Sequence, residues 1–324
     1  MSNSLIIKVA VAAPLFNLFD YLPADATSAT KLHPGCRVRV PFGRGKRTGV
    51  VWLICDHDDA PPPPHRLKTI AEVIDETPLL DENERQFLSW CAGYYHHPIG
   101  EVVNAALPTR LRQPKQPRPT LEQGWRVRQK KLSLPDFRNA PVQQRILQML
   151  LETKAGVAGK QLETLDGDIR PALNRLQQKG VIERCDMAPA ATPSSAVGRV
   201  TLSLEQQQAV DAIHAATGFS TLLLDGITGS GKTEVYLHAA DRAISRGHQV
   251  LVLVPEIALT PQLLRRFQQG INGVVAISHS ALNSSDREQA WMQAQKGEAD
   301  LLIGTRSAIF TPMPRIGLII IDEE

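Results

Sequence analysis

The spacing of hydrophobic and polar positions changes along the chain and separates regions with different predicted structures. The first region contains short β-branched runs divided by Gly/Pro turns: Leu5–Ala12, Cys36–Val40, Gly49–Cys55 and Lys68–Ile74. Asp81–Tyr95 follows with an Asp at its start and apolar residues at helical spacing. This pattern predicts a small β-rich domain over residues 1–107, with one helix covering a face of its sheet.

The middle of the chain is predicted to hold a basic linker and a small helical domain. Pro108–Lys131 is rich in proline and has eight Lys or Arg residues against one Glu, so residues 108–140 are interpreted as an exposed linker. Pro141–Arg184 shows helical spacing followed by a short apolar run, which fits a winged-helix domain over 141–187. Such domains bind DNA or protein, and the residues leave that choice open. A Pro/Ala/Ser linker at 188–200 follows.

After residue 200 the pattern changes to apolar runs separated by helical segments, and these runs predict strands that are buried on both faces. They are Thr221–Leu224, Val250–Val254, Val274–Ile277, Leu301–Ile303 and Leu318–Ile321. Amphipathic segments lie between them, at Glu234–Arg246, Pro261–Gln269 and Asp286–Gln295. Alternating strands and helices predict a parallel α/β lobe over residues 201–324.

Composition and charge narrow the class of protein. Hydrophobic residues make up 43% of the chain and charged residues 21%, which is typical of a globular protein, and the net charge is +3. The four cysteines lie far apart without a C-x-x-C pair, so neither a zinc knuckle nor a disulfide framework is indicated. The chain has neither a signal-peptide pattern nor an apolar run of membrane-spanning length, which predicts a cytoplasmic protein with no membrane partner.

A phosphate-binding motif is the strongest chemical signal. Gly226 to Thr233 fits G-x4-G-K-[ST], after a predicted buried strand and at the start of a predicted helix. In this motif, backbone amides and the helix N-terminus surround the phosphates. We expect Lys232 to reach the β- and γ-phosphates and Thr233 to bind Mg²⁺. The predicted nucleotide contacts are Gly226, Thr228, Gly229, Ser230, Gly231, Lys232, Thr233 and the adjoining Glu234.

Two acidic residues complete the predicted catalytic site. Asp322 and Glu323 end an apolar strand, where an open α/β sheet binds its ligand. By itself such a strand end is weak evidence, but behind a P-loop it predicts nucleotide hydrolysis. Asp322 would hold Mg²⁺, and Glu323 would orient the attacking water.

Several longer strings resemble a known family. Asp322-Glu323-Glu324 resembles the start of the DEAH-like motif of superfamily 2 helicases. The strings 254–262 (VPEIALTPQ) and 304–312 (GTRSAIFTP) resemble the PriA family of replication-restart helicases. At the other end, 19–22 (FDYL), 35–43 (GCRVRVPFG) and 94–100 (YYHHPIG) are similar to the 3′-DNA-end-binding domain of the same family.

The resemblance implies a fold and a set of site residues. The fold is multidomain, with a β-rich 3′-DNA-binding domain, a winged helix and the first RecA-like lobe of a helicase motor. A pocket for a 3′-terminal nucleotide would be formed by Phe19, Asp20, Tyr21, Gly43 and Lys68. Asp20 could accept a hydrogen bond from a free 3′-OH, and the aromatic rings could stack on a base.

Residues of the motor lobe are implied in the same way. Gln206 resembles the glutamine that contacts adenine in such helicases, with a polar helix start as the alternative interpretation. Contacts to the translocating strand are implied for Glu256, Thr260, Gln262, Thr305 and Arg306. Arg306 could instead support the sheet edge. His279, Ser280 and Arg287 receive no catalytic role.

The resemblance further implies an ATP-dependent 3′→5′ DNA helicase that recognises stalled forks and starts primosome assembly. Its partners would be branched DNA, single-stranded-DNA-binding protein and other primosome proteins, and its cofactors ATP and Mg²⁺. The chain stops inside the acidic motif, so we expect an amino-terminal fragment without the second lobe, the arginine finger or the family's zinc ligands. Alone it should hydrolyse ATP poorly and unwind no DNA. Two alternatives are a fork-binding module without motor activity and a P-loop NTPase of another class.

Overall fold

The protein is described here by a computed structural model covering residues 5–56, 67–117, 122–128, 140–153, 156–158, 162, 169–187, 201–227 and 229–322. The chain forms two compact units. One contains residues 1–117 and 193–324, and the other contains residues 118–192. The predicted linker at 188–200 lies outside the described residues.

The amino-terminal part of the first unit is a six-stranded sheet, as the short β-branched runs predicted. Its strands are β1 (Leu5–Val11), β2 (Phe19–Leu22), β3 (Arg37–Phe42), β4 (Gly45–Asp56), β5 (Lys68–Thr69) and β6 (Glu72–Val73). The sheet order is β5-β2-β1-β4-β3-β6. The predicted strand Lys68–Ile74 is thus divided between the two opposite edges. Because so short a connection cannot reach across a flat sheet, the sheet must curl until β5 and β6 lie near each other.

Three helices accompany this sheet: α1 (Ala26–Lys31), α2 (Glu82–Tyr94) and α3 (Ile99–Ala106). Asp81 caps α2 as predicted, and Glu84 completes a capping box. The Glu84 backbone N–H donates to Asp81 Oδ1 at 3.0 Å, and the Asp81 N–H donates to Glu84 Oε2 at 2.9 Å. Leu88 and Cys91 form the buried face of α2.

The predicted basic linker is partly built into this domain. Arg37 is 0% exposed, and its Nε and Nη2 donate to the two carboxylate oxygens of Asp75 at 2.9 and 2.7 Å. Its remaining donors reach the backbone carbonyls of Leu111, Gln113 and Lys115. A buried guanidinium needs partners for all its N–H groups, so it holds this segment of the chain against the domain. The expectation of an exposed linker is therefore wrong for Leu111, which is 0% exposed, whereas residues 113–116 are exposed as predicted.

The second unit contains a three-stranded antiparallel sheet and two described helices. The strands are β7 (Glu122–Val127), β8 (Val157–Ala158) and β9 (Ile182–Met187), in the order β8-β7-β9. The helices are α4 (Pro141–Glu152) and α5 (Ile169–Gln178), and their apolar faces share one core with Trp125. β7 falls inside the predicted linker because its pairing with β9 could not be foreseen from its sequence. The winged-helix assignment stays a prediction.

The rest of the first unit is the predicted parallel α/β lobe. Its strands are β10 (Gln249–Leu253), β11 (Val275–Ser278), β12 (Leu301–Gly304) and β13 (Ile316–Ile321), in the order β11-β12-β10-β13. Its helices are α6 (Leu204–Ala215), α7 (Lys232–Ser245), α8 (Pro261–Gly270) and α9 (Ser284–Gln295). Two 3₁₀ turns, Glu256–Ala258 and Arg306–Phe310, follow β10 and β12. All four described strands run parallel, so their carboxyl ends meet at one edge.

The first predicted strand of this lobe is wrong. Thr221–Leu224 pairs with none of the described strands, and Leu222 and Leu223 are 52% and 90% exposed. β13 is an edge strand of the described sheet, with Ile319 and Ile321 about half exposed. An apolar run becomes a buried strand only where a neighbouring strand and covering layers are present, and the described part of the lobe does not supply them here.

The β-rich domain and the α/β lobe share a hydrophobic core. Trp291, which is 3% exposed on α9, packs into the cluster that contains Trp52, Leu88 and Leu111. Phe310 joins the same cluster from the end of its 3₁₀ turn. The helix that connects β11 to β12 in the lobe therefore also fills the core of the amino-terminal domain.

Candidate nucleotide-binding and DNA-binding sites

The P-loop has the backbone geometry that anion binding needs. Gly229 and Gly231 have φ angles of 86° and 81°, the left-handed region that other residues rarely adopt. Gly231 is the N-cap of α7 and provides no side-chain cap, and the Glu234 N–H donates to the Gly231 carbonyl at 2.9 Å. A helix start without a side-chain cap, together with the positive end of the helix dipole, favours a phosphate group at this position.

Lys232 and Gln206 hold the loop in this shape. The ammonium of Lys232 donates to the Gly226 carbonyl at 2.9 Å. Gln206 on α6 donates from Nε2 to the Ser230 carbonyl at 3.0 Å, and its Oε1 accepts from the Ser203 N–H at 2.9 Å. Both ends of the Gln206 amide are therefore engaged within the protein. The contact of Gln206 to adenine stays a prediction, and it would require Gln206 to give up one of these two hydrogen bonds.

Asp322 is connected to the P-loop helix by a residue that sequence reasoning missed. The hydroxyl of Tyr236 on α7 donates to Asp322 Oδ1 at 3.0 Å. Tyr236 lies one helical turn after Thr233, and that spacing was the available signal. The end of β13 and the start of α7 thus lie side by side, which is the arrangement that a shared Mg²⁺ ligand set requires. Thr228 and Glu323 lie outside the described residues.

The structure places Glu234 elsewhere than predicted. Its carboxylate accepts from Arg266 Nε on α8 at 2.9 Å and also contacts Arg266 Nη2. Glu234 is 9% exposed, and a buried carboxylate needs such a cation. We therefore assign it to the packing of α7 against α8 and not to nucleotide contact.

The predicted DNA contacts of the lobe gather at the carboxyl edge of its sheet. Glu256 follows β10 and Thr305 follows β12, and Leu253 and Gly304 are partners in the register of these strands. A Cβ at Gly304 would lie 2.6 Å from the Ser278 carbonyl oxygen, so only glycine lets the end of β12 lie this close to β11. Arg306 is exposed. The sheet therefore brings Glu256, Thr305 and Arg306 to the same edge.

Two further members of this group lie at the start of α8. Thr260 caps the helix by accepting from the Leu263 N–H at 3.2 Å, and Gln262 follows it. Both line an open cleft together with Arg265, Arg266 and Gln269. The Ser280 hydroxyl, to which no role was assigned, donates to the Glu256 carboxylate. The cleft combines neutral donors with guanidinium groups, a lining suited to phosphate oxygens.

Asp20 in the amino-terminal domain pairs with Lys8, a residue that sequence reasoning did not select. Lys8 and Asp20 face each other in the β1–β2 register, and Lys8 Nζ lies 3.0 Å from Asp20 Oδ1. Both side chains are about one-third exposed. The signal for Lys8 was its charge inside an otherwise apolar strand. Asp20 Oδ1 therefore has a protein partner already, and a 3′-OH would have to use the rest of the carboxylate.

Tyr21 cannot stack on a base, which corrects its predicted role. It is 4% exposed, and its hydroxyl donates to the Pro41 carbonyl at 3.0 Å. Burial raises the pKa of this phenol. Phe19 lies on the same side of β2 and meets Phe42 edge to face, with ring centroids 4.9 Å apart. Side chains alternate along a strand, so Asp20 points to the opposite side from both rings.

A tight turn beside these rings contains Gly43. Phe42 pairs with Gly45 across the turn between β3 and β4, and Gly43 has a φ of 58°. Arg47 Cζ lies 4.9 Å from the Phe42 ring centroid, which adds a cation beside the predicted pocket. Lys68 is exposed and pairs with Tyr21 in the β2–β5 register. The structure thus brings Phe19, Gly43 and Arg47 close to Phe42.

The arginines of the predicted basic cluster are largely engaged. Arg112 Nε donates to the Leu107 carbonyl at 2.9 Å. In the second unit, Arg126 Nη2 lies 2.6 Å and Arg128 Nε 3.8 Å from the carboxylate of Glu183. A shared carboxylate neutralises part of the local charge. The positive charge that this cluster can offer to DNA phosphates is therefore smaller than its number of Lys and Arg residues suggests.

Comparison with known families agrees with this geometry. Residues 8–108 match the family described as 3′DNA-binding domain (3′BD), and residues 203–324 match the DEAD/DEAH box helicase family. The chain belongs to the replication restart protein PriA family. It is 36% identical to "Replication restart protein PriA" of Haemophilus influenzae and 30% identical to that of Chlamydia pneumoniae, each over 98% of this chain. The Bacillus subtilis protein of the same name is 46% identical over 32% of the chain and 13% of its own length.

The chain spans 44% of the Haemophilus relative and 43% of the Chlamydia relative. Activities of those longer proteins therefore enter below as proposals. In the part of the chain that the structure describes, no helix is long and apolar enough to cross a membrane.

Proposed function

We propose that this chain is the part of a replication-restart DNA helicase that binds a 3′ DNA end and ATP. The observation that carries the proposal is the uncapped start of α7, held beside Asp322 by the Tyr236 hydroxyl. A P-loop and a strand-end carboxylate in this relation suit a nucleotide with Mg²⁺. The match of residues 8–108 to a 3′DNA-binding domain supports the DNA half of the proposal.

The residues fit ATP and Mg²⁺ in the following way. The α7 amides and Lys232 would hold the phosphates, and Thr233 and Asp322 would supply oxygen ligands for Mg²⁺. The bound metal would neutralise charge on the γ-phosphate. Binding would require the Lys232 ammonium to leave the Gly226 carbonyl and Asp322 to share its carboxylate with Tyr236. We propose ATP as the nucleotide, with Gln206 as the adenine contact.

The proposed DNA contacts fall into two groups. In the lobe, Thr260, Gln262, Thr305 and Arg306 would bind the phosphate backbone of the translocating strand, beside Glu256. In the amino-terminal domain, Asp20 would accept a hydrogen bond from the 3′-OH, with Lys68 beside the terminal nucleotide. The Phe19 ring lies on the other side of β2 from Asp20, so Phe19 and the neighbouring Gly43 would reach the nucleotide only across the end of that strand. In the complete protein, these activities would serve fork recognition and assembly of the primosome with single-stranded-DNA-binding protein, in the cytoplasm.

A second candidate function is a fork-binding module without motor activity. The exposed segment Thr221–Leu224 favours it, because the loop that follows is not anchored by a strand of the described sheet. ATP hydrolysis by the complete protein, stimulated by single-stranded DNA, separates the two candidates. The motor proposal predicts stimulation that Lys232→Ala abolishes, whereas the module predicts DNA binding with no hydrolysis.

Two binding experiments test the main proposal. Titration with a fluorescent ATP analogue should show Mg²⁺-dependent binding, weakened about tenfold or more in Lys232→Ala because a charge-assisted contact is lost. Fluorescence anisotropy should show tighter binding to a fork with a 3′-OH leading-strand end than to one with a 3′-phosphate. Asp20→Ala should remove that preference. Equal binding of both forks by the unaltered protein would contradict 3′-end recognition.

A further inference from the structure

The solvent face of α2 carries a stack of aromatic rings that no predicted site includes. Phe87, Trp90 and Tyr94 lie at helical spacing on one face, and Tyr95 follows the helix. The centroids of Phe87 and Trp90 lie 6.3 Å apart with planes at 12°, and those of Trp90 and Tyr94 lie 5.0 Å apart at 21°. Tyr95 meets Tyr94 edge to face at 4.9 Å. We call these four residues the aromatic ladder.

Burial does not account for the aromatic ladder. Trp90, Tyr94 and Tyr95 are 57%, 64% and 69% exposed. The opposite face of α2 is the one that packs, through Leu88 and Cys91. A surface helix normally turns polar residues to water, so a continuous exposed row of rings indicates a binding surface.

The surroundings of the aromatic ladder favour nucleic acid over an apolar protein partner. Phe87 lies 5.9 Å from the ring of Phe310, at the end of the 3₁₀ turn that starts with the exposed Arg306. The aromatic ladder therefore continues to the 3₁₀ turn after β12, where contacts to a DNA strand are proposed. It also lies within residues 8–108, which match a 3′DNA-binding domain. Exposed, nearly parallel rings that continue to a turn carrying an exposed arginine suit bases that are linked by phosphates.

We propose that the aromatic ladder binds the bases of single-stranded DNA. One DNA strand would pass from the Thr305–Arg306 turn along Phe87, Trp90 and Tyr94, with its phosphates near Arg306. Its bases would stack on the outer, exposed parts of the rings, because rings 5.0 to 6.3 Å apart leave no room for a base between them. Stacking requires only a π-face, so the surface would accept any sequence. This inference rests on the proposed function, because the strand is the one that the lobe would contact.

The test uses this chain and a fluorescein-labelled oligo-dT strand that ends in a 3′-phosphate, so that the proposed 3′-OH pocket does not contribute. Trp90→Ala should weaken binding about 5- to 100-fold, the range for one lost base stack. A strand of abasic sites with the same phosphates should bind the variant and the unaltered protein equally. Phe219→Ala, which removes a ring that is 98% exposed on the α/β lobe, is the matched control and should bind oligo-dT normally.

Intrinsic fluorescence supplies a second readout. Trp90 is exposed, whereas Trp52, Trp125 and Trp291 are at most 8% exposed. Oligo-dT should quench Trp90, and Trp90→Phe should remove the quenching while it keeps most of the affinity. Unchanged oligo-dT affinity in a folded Trp90→Ala variant, or equal losses on the abasic strand, would overturn the inference and leave the ladder to a protein partner. The 3′-OH preference tested with Asp20→Ala is a separate measurement, so either proposal can fail alone.

Discussion

Arg110 Nε lies 2.6 Å from Glu288 Oε2, and this ion pair links the end of the amino-terminal domain to α9 of the α/β lobe. The two side chains differ in environment, since Arg110 is 43% exposed and Glu288 is 5% exposed. Beside the pair, Trp291 and Met292 of α9 pack into the amino-terminal core. A DNA 3′ end bound by the β-rich domain would therefore contact a domain that shares its hydrophobic core with the α/β lobe.

The unequal burial predicts unequal costs of breaking this pair. Arg110→Met leaves a buried carboxylate without its cation and should lower the free energy of unfolding by about 3 kcal/mol. Glu288→Gln leaves an arginine that water can reach, and it should cost less than about 1.5 kcal/mol. Urea denaturation of both variants measures the difference. Equal costs would show that Glu288 is solvated when Arg110 is absent.

Arg37 and Asp75 should be required for folding of the amino-terminal domain. Asp75→Asn removes the carboxylate from a guanidinium that is 0% exposed, and we expect a loss of about 3–5 kcal/mol. The matched control is Asp20→Asn, whose pair with Lys8 is about one-third exposed and should contribute about 1 kcal/mol or less. Denaturant titration followed by circular dichroism compares the two. A mild effect of Asp75→Asn would contradict the role assigned to Arg37.

Glu84 should make the start of α2 sensitive to pH. Burial, together with the hydrogen bond and charge of Asp81, raises the pKa of Glu84 from 4.5 to about 7. Between these values the folded state keeps a proton that the unfolded state has released, so stability falls as pH rises from 4.5 to 7. Above 7 this loss is complete.

The variant Glu84→Gln tests this pH dependence, because glutamine can still accept from the Asp81 N–H but cannot ionise. Its melting temperature relative to the unaltered protein should rise between pH 4.5 and pH 8. Asp81 does not interfere, since its hydrogen bond with Glu84 lowers its pKa below 3.8. A constant difference between the two melting curves across this range would exclude the proposed titration.

The two positive-φ glycines of the P-loop should differ in their tolerance of a side chain. A Cβ at Gly231 would lie 2.4 Å from Gln206 Nε2, whereas none of the described atoms lies within 4 Å of a Cβ at Gly229. Gly229→Ala should therefore cost only the backbone strain, about 1–2 kcal/mol. Gly231→Ala should cost more and should also break the contact between Gln206 and Ser230.

Adding Gln206→Ala to Gly231→Ala separates the two effects. The double variant should regain the part of the stability that the clash removed and keep the loss from strain. Thermal unfolding measures the stability of each variant, and titration with the fluorescent ATP analogue measures nucleotide binding by the P-loop. If Gly229→Ala and Gly231→Ala cost the same, Gln206 does not hold the loop.

Local pattern was sufficient for much of the fold. The β-branched runs around Val9 and Val38, divided by Gly/Pro turns, predicted a sheet, and Asp81 predicted the start of α2 because a cap acts on its own helix. The P-loop motif needed only its spacing. Residue composition, turns and caps depend on neighbours in sequence, so they can be recognised from the sequence alone.

What failed depended on neighbours in space. Thr221–Leu224 had the composition of a buried strand, but pairing and cover are supplied by other segments. The sequence predicts Leu111 to lie in a linker. Its carbonyl is fixed by a hydrogen bond from the buried Arg37, a residue far away in the sequence, so the prediction could not include this contact. Glu234 adjoined the P-loop in sequence, yet helix packing places its carboxylate on Arg266.

The sequence by itself determined the β-rich domain, the parallel α/β lobe and the family of this protein, because these depend on local patterns and on ordered strings of residues. The tertiary structure decided which side chains are free to meet a ligand. It buried Tyr21, left Trp90 in solvent and joined Asp322 to Tyr236. Exposure and pairing are set by contacts between distant segments, and no period along the chain encodes them.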